Sequence, residues 1–247
     1  MITMKKATIF RIITYAVGLL VLALGLTLNT KAGLGVSPII SVAYSVSIIT
    51  NYNFGNTTMV LYIIFVFAEM ILHYIRDRRY EEKSGEALKH ANKVNRKLVV
   101  LMDVLQIPFS IIFTRFLNIF GNIIPEIYSE GKESAAQMTL RFVVLIIALI
   151  CTGVGAATTL NMRIVPNPGD GIVQAIADCI HKSVGFTKNC VDVCSVLITV
   201  IISMVCARHL VGVGIGTIFA VIGVGRIIAI FNYCVKDKLT SLAGIEE

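Results

Sequence analysis

The sequence predicts an all-α membrane protein of six transmembrane helices plus two short re-entrant or broken helices, arranged as an internal, inverted repeat. Three observations predict it. Of 247 residues, 56% are apolar and only 15% charged, with a mean hydropathy of +0.81; that balance excludes an ordinary soluble domain. Apolar runs near the roughly 20 residues needed to cross a bilayer occur at about residues 8–29, 57–75, 98–124, 139–161, 190–207 and 210–234. The segment LNTKAGLGVSPIISVAY also returns in altered form as LNMRIVPNPGDGIVQAI.

The first run ends in Leu28-Asn29-Thr30-Lys31 and the fourth in Leu160-Asn161-Met162-Arg163. The first is too long for a signal peptide and has no small-residue cleavage site, so it is read as a helix. A Gly/Pro-broken stretch follows each, then a short helix-like piece (about 37–50 and 170–183), then Gly-x-Thr (Gly55 with Thr57, Gly185 with Thr187) leading the next apolar run. TRFLNIF (114–120) resembles GRIIAIF (225–231), which puts Arg115 and Arg226 at matching points of the last helix of each half. Repeats of this kind are a recurring transporter plan. The halves are 1–124, with a basic loop at 76–97, and 125–247, together one membrane-embedded domain.

Lysine and arginine orient the chain, because they are enriched in cytoplasmic loops. The loop carries Arg76, Arg78, Arg79, Lys83, Lys89, Lys93, Arg96 and Lys97, and the N-terminus Lys5, Lys6 and Arg11. Both belong inside, so an even number of crossings precedes residue 76 and the first short piece re-enters from outside. Glu126, Glu130, Lys132 and Glu133 then fall outside; Arg163, Lys182, Lys188, Lys236 and Lys238 fall inside, with only Arg208 opposed. Three crossings per half invert the second copy. The rival reading, eight spans with parallel repeats, places the most basic loop outside. Composition explains the net charge of +7 by topology and anionic lipid, and a nucleic-acid role is not expected.

Helix breaks within lipid are tolerated only where protein or water surrounds the open backbone. In the first half Gly33, Gly35 and Pro38 break the helix, with Ser37 placed as N-cap; in the second Pro166, Pro168, Gly169 and Gly171 do so, with Asn167 and Asp170 available to cap. The positive ends of both short helices then approach mid-membrane. Ordinary turns between spanning helices are the alternative.

Intramembrane charges are expensive and usually face a bundle interior. Arg115 and Arg226 are read as anion anchors beside the short-helix tips, or as structural ion pairs. Glu69 and Asp103 are the coupling candidates. Asp178 and Lys182 are spaced to pair along one helix face, and Asp192 is read as snorkelling. The candidate substrate-binding set is Asn29, Ser37, Arg115, Asn161, Asn167, Asp170 and Arg226. The four histidines are read as scattered, and no metal ligand or cofactor is expected. Six cysteines show no disulfide framework and no Cys-x-x-Cys. The segment 212–226, with Gly212-x-x-x-Gly216, suits close helix packing and is neither a P-loop nor a dinucleotide fingerprint.

A first span followed by AGLGVSP, a Gly-x-Thr-led span and a late Gly-x-Gly-x-Gly-Thr (Gly212, Gly214, Gly216, Thr217) resembles the YczE/YyaS/YitT group of bacterial integral membrane proteins. The resemblance covers nearly the whole chain, the second-half PNPGDG departing from the first, and implies a multi-pass protein of the bacterial cytoplasmic membrane with both termini cytoplasmic. It implies no substrate or catalytic residue. The functional expectation is a small secondary transporter or permease for an anionic or zwitterionic solute, coupled to protons or sodium. Its partners are membrane lipids and that solute, and a homodimer is compatible with the plan. A non-transporting scaffold for a biosynthetic or envelope process is the alternative. An enzyme is not expected, since no nucleophile-base pair or metal cluster stands out.

Overall fold

A computed structural model of the chain describes residues 2–83, 86–128 and 134–245. The expectations for Glu130, Lys132, Glu133 and the side chains of the basic loop between 80 and 96 lie outside the described residues. The elements are α1 (Ile2–Ala32), α2 (Pro38–Thr50), α3 (Phe54–Lys83), α4 (Glu86–Ile123), α5 (Ala135–Asn161), α6 (Pro168–Ile180), α7 (Val184–Ile202, continued by a π-helical turn over Ser203–Ala207) and α8 (Ile215–Leu242). All described secondary structure is helical, and six helices are long and apolar enough to cross a membrane. The 13-residue α2 and α6 reach about 20 Å at 1.5 Å per residue, which is short of a bilayer core.

Side-chain bridges show how the short helices run. At one end of the bundle, Lys31 closing α1 pairs with Glu126 beyond α4 at 2.6 Å, and Gly55 N at the start of α3 donates to Asn118 Oδ1 near the end of α4 at 2.9 Å. The end of α1 and the start of α3 therefore share one side, and α2 between them enters and returns. At the opposite end Arg11 of α1 reaches the end of α5, while Arg76 of α3 bonds Asp178 of α6 at 3.1 Å. The end of α5 and the end of α6 share that side, so α6 also enters and returns.

Each short helix packs on a long helix of the other half, α2 on α7 and α6 on α3. Both run with their N-termini deep. Ser41 bonds Thr199 at 2.7 Å and Ser45 bonds Ser203 at 2.9 Å as α2 climbs beside α7. The tips meet: a Cβ added at Gly169 of α6 would lie 3.2 Å from the Ile39 side chain of α2. Left-handed residues stop both helices, Asn51 (φ 55°) after α2 and His181 (φ 54°) after α6. Because His181 ends α6, Lys182 leaves the helix face, and Asp178 pairs with Arg76 instead of with Lys182.

The centre is α1 against α5. Glycine allows the approach: a Cβ at Gly25 would fall 2.5 Å from Thr152 N, and one at Gly155 would overlap the backbone of Leu22. Two arginines then tie the ends crosswise. Arg11 of α1 donates from Nε to Met162 O (2.6 Å) and from Nη2 to Arg163 O (2.5 Å), carbonyls released where α5 stops. Arg141 of α5 donates from Nε to Ala32 O (2.8 Å) and from Nη2 to Gly33 O (2.6 Å), carbonyls released where α1 stops.

The break after α1 finds partners in the chain before α8 and in its first turn, with Val36 N donating to Gly212 O at 2.9 Å and Gly216 N to Leu34 O at 2.6 Å. A Cβ at Gly35 (φ 109°) would sit 2.6 Å from Gly214 N, so this close approach requires glycine. The sixth span accordingly begins at Ile215 rather than near 210. Gly212 and Gly214 serve a junction between two non-helical segments, not a helix-helix seam, and the paired backbone meets the demand that open N–H and C=O groups in lipid be satisfied.

Candidate functional site

Polar groups collect where the tip of α6 meets α3 and α4. On α3, Tyr62, Val66 and Glu69 are buried and His73 is half-buried, a stripe at helical spacing that turns inward. On α4 the matching stripe is Asp103, Gln106, Ser110, Phe113 and Leu117, all buried. Between the two helices Gln106 Nε2 donates to Glu69 Oε2 at 3.0 Å, and His73 Nδ1 lies 2.9 Å from Asp103 Oδ2. Glu69 and Asp103 are 3% and 2% exposed.

The third wall is α6. Its N-cap is Asn167, whose side chain accepts from Gly169 N at 3.0 Å, with Pro168 at the first helical position. Asp170 sits in the first turn without capping it. A Cβ at Gly171 would lie 2.5 Å from Glu69 Oε1, so glycine lets the carboxylate rest against the helix's first turn. Glu69 thus lies against the side of the first turn, near the positive end of the α6 dipole. Beyond Asp170, on α7, Asp192 is 3% exposed with an unpartnered Oδ1, and Lys188 approaches its other oxygen only to 3.9 Å. Asp192 is therefore a buried acid, where snorkelling was expected.

Of the expected residues Glu69 and Asp103 come together here, and Asn167 and Asp170 sit in the turn of α6 whose Gly171 rests against Glu69. Ser37 lies at the other tip, at the N-cap position of α2, but its side chain makes no cap bond. Asn29 is buried in α1 with an unpartnered Oδ1, and Asn161 bonds Asn232 Oδ1 of α8 at 2.8 Å; neither shares a bond with the cluster. Arg115 and Arg226 do not converge on the tips. Both are exposed on the outside of the bundle. The helical period explains this: α4 buries Phe113 and Leu117, and α8 buries Ala220 and Val224, and residues two positions away project about 200° round the axis.

Two members were not expected from the sequence. His73 stands four residues after Glu69 on one face of α3, and Gln106 three after Asp103 on α4, so each pair was visible as local spacing. Their convergence depends on how α3 packs on α4. At the opposite end, a cleft of ≈ 440 Å³ opens at the α1 break, lined in part by Gly33, Gly35, Tyr44, Tyr128, His209 and Gly214.

A family of unknown function (DUF6198) matches the chain over residues 9–85 and 90–233. No curated protein and no solved structure matches it.

Proposed function

The chain belongs to the DUF6198 family, which brings no assigned activity, and we propose that it is a small secondary transporter or permease built as an inverted repeat. The observation that carries this reading is the meeting of two re-entrant helix tips beside buried carboxylates. Short helices that enter, present their N-termini at mid-depth and return are expensive in lipid unless they border a path, and such tips are where repeat-built transporters bind solute. Intramembrane acids serve as coupling groups in such paths. Glu69 and Asp103 take that role here.

The solute is small and zwitterionic in this reading. Two helix N-termini suit a carboxylate, and Glu69, Asp103, Asp170 and Asp192 suit a cationic group. With Arg115 and Arg226 turned outward, a purely anionic solute would rely on the helix tips alone. Arg11, Arg76 and Arg163 gather at the end that holds the N-terminus, which supports the cytoplasmic assignment of both termini; Gly244 packs beside Ala7 there. We extend the resemblance to the YczE/YyaS/YitT group in the same spirit, with a bacterial cytoplasmic membrane as the setting.

Water access at the tips tests the transport class without knowledge of the solute. In a cysteine-free background, Ser37→Cys and Asn167→Cys are treated with a small water-soluble thiol reagent in membranes, with Tyr52→Cys as an exposed control. Transport predicts labelling at both tips. A control that labels while neither tip does would favour the scaffold reading, in which the tips are dry packing.

A further inference from the structure

We infer that Glu69, His73, Asp103 and Gln106 form a binding site for a divalent first-row metal cation at the tip of α6. The inference deepens the transport reading, on which it rests for a biological role, by naming the cation the buried acids hold; the binding itself stands on the geometry below.

The ligand-bearing atoms of Glu69, His73 and Asp103 all lie within 4.8 Å of one another, close enough for one ion to reach all three. They come in two local pairs on adjacent helices, Glu69 with His73 and Asp103 with Gln106, so rigid elements hold the set. Gln106 supplies an independent sign of a missing partner. It is 1% exposed, its Nε2 is used by Glu69, and its Oε1 has no hydrogen-bond partner. A buried amide oxygen left without a donor costs free energy, and a cation beside Glu69 would satisfy it.

Charge leads to the same place. Two carboxylates are buried together, and the nearby arginine is engaged elsewhere, since Arg76 holds Asp77 at 3.2 Å and Asp178 at 3.1 Å. The α6 dipole offsets about half a unit of negative charge, and His73 at most one more when protonated. A bound dication removes the remainder and takes the His73 imidazole as a ligand.

The donor set selects the ion. One imidazole nitrogen with carboxylate and amide oxygens suits Zn²⁺, Mn²⁺, Fe²⁺ or Co²⁺, while the imidazole disfavours Ca²⁺ and Mg²⁺ and the lack of thiolate in the set disfavours Cu⁺. Cys179, the nearest thiol by element, spends its Sγ on Leu72 O at 3.3 Å.

The test uses the purified full chain in detergent, stripped with chelator and then titrated with Zn²⁺ and with Mn²⁺ by calorimetry, with Co²⁺ absorption as a report on coordination. One equivalent of at least one ion should bind. Glu69→Gln, His73→Gln and Asp103→Asn should each weaken binding at least about tenfold, a loss of 1.4 kcal/mol, and His73→Gln should change the Co²⁺ spectrum. Asp237→Asn, on the exposed tail of α8, should bind as wild type does. Because buried acid variants can misfold, the half-buried His73→Gln is judged first and monodispersity is checked for each. Binding that is absent for all three ions, or that persists unchanged in folded His73→Gln and in Glu69→Gln, overturns the site. Metal binding without tip labelling would sink transport and keep the site; tip labelling without metal binding would do the reverse.

Discussion

Replacing Arg141 with Gln should destabilise the fold more than any other single change at a charged residue near the bundle ends. Its side chain is 9% exposed and joins α5 to the two carbonyls that α1 releases at its end, Ala32 O and Gly33 O, at 2.8 and 2.6 Å. The guanidinium also lies 5.8 Å from the Tyr128 ring. Bonds to a charged donor contribute roughly 1.5–3 kcal/mol each, and stranding the acceptors costs on the same scale, so the variant should lose about 3–5 kcal/mol. For a chain of this size each kcal/mol moves the melting point by about 2–4 °C, giving a drop of roughly 6–20 °C in detergent. Arg141→Lys keeps the charge but not the fork geometry, and should fall between the two. An Arg141→Gln protein that melts within about 2 °C of wild type would refute the clamp. Arg11→Gln should cost less, because its Nη2 bond to Arg163 is exposed.

Other substitutions separate packing from function. Gly155→Leu should overpack the α1–α5 contact, where even a methyl meets Leu22 backbone, and cost about 3 kcal/mol or more, read as loss of monodisperse protein. Gly171→Ala should push Glu69 off the first turn of α6, strain its bond from Gln106 and weaken cation binding; unchanged binding would show that Glu69 is not held by that contact. Arg226→Leu should leave cation binding and tip labelling at wild-type levels, because the side chain faces outward; a loss of either would restore it as an anchor. Asp178→Asn removes a rim ion pair whose acid is 44% exposed, and should shift the melt by less than the roughly 1 kcal/mol typical of screened pairs.

The spans were legible because hydropathy over 20 residues is a local property, and so were the breaks, because Gly33, Gly35 and Pro168 act on their own backbone. What failed was the direction of single side chains. Arg115 and Arg226 were judged by depth along their helices, but depth does not fix azimuth; the buried stripe 103, 106, 110, 113, 117 on α4 does, and it excludes Arg115 from the interior. Asp192 failed in the opposite sense, since packing buries a residue that looked free to reach a surface. The clamps of Arg11 and Arg141 could not be read at all, for they join residues 151 and 109 positions apart. The glycines at 212 and 214 were recognised as sites of close approach, but the approaching partner, the backbone of residues 34–36, is set only by tertiary structure.

The proposed repeat gives one more reason to place function at α6 rather than α2. The register that carries Gly55 onto Gly185 and Thr57 onto Thr187 also carries Glu69 onto Thr199 and His73 onto Ser203, and, between the short helices, Ser41 onto Gly171 and Ser45 onto Ala175. Ser41 faces Thr199, Ser45 faces Ser203, and Gly171 faces Glu69. Where α2 meets α7, Ser41 bonds Thr199 and Ser45 bonds Ser203, neutral hydroxyl pairs that satisfy one another and close the contact. Where α6 meets α3, the short helix instead offers Gly171 and Ala175, and the long helix Glu69 and His73. The small residues leave room and supply no side-chain partner, so the acid and the imidazole must find theirs in Gln106 and Asp103 of α4. The α2–α7 contact is therefore a self-satisfied helix seam, and the α6–α3 contact a charged cluster with an unfilled acceptor. A scaffold needs two seams; binding needs the symmetry broken at one of them. The decisive exchange is to build the seam twice, Glu69→Thr with Gly171→Ser. It should yield a folded protein, with a Thr–Ser bond like that of the other half, that has lost its cation; a double variant that still binds one equivalent would move the site away from this tip.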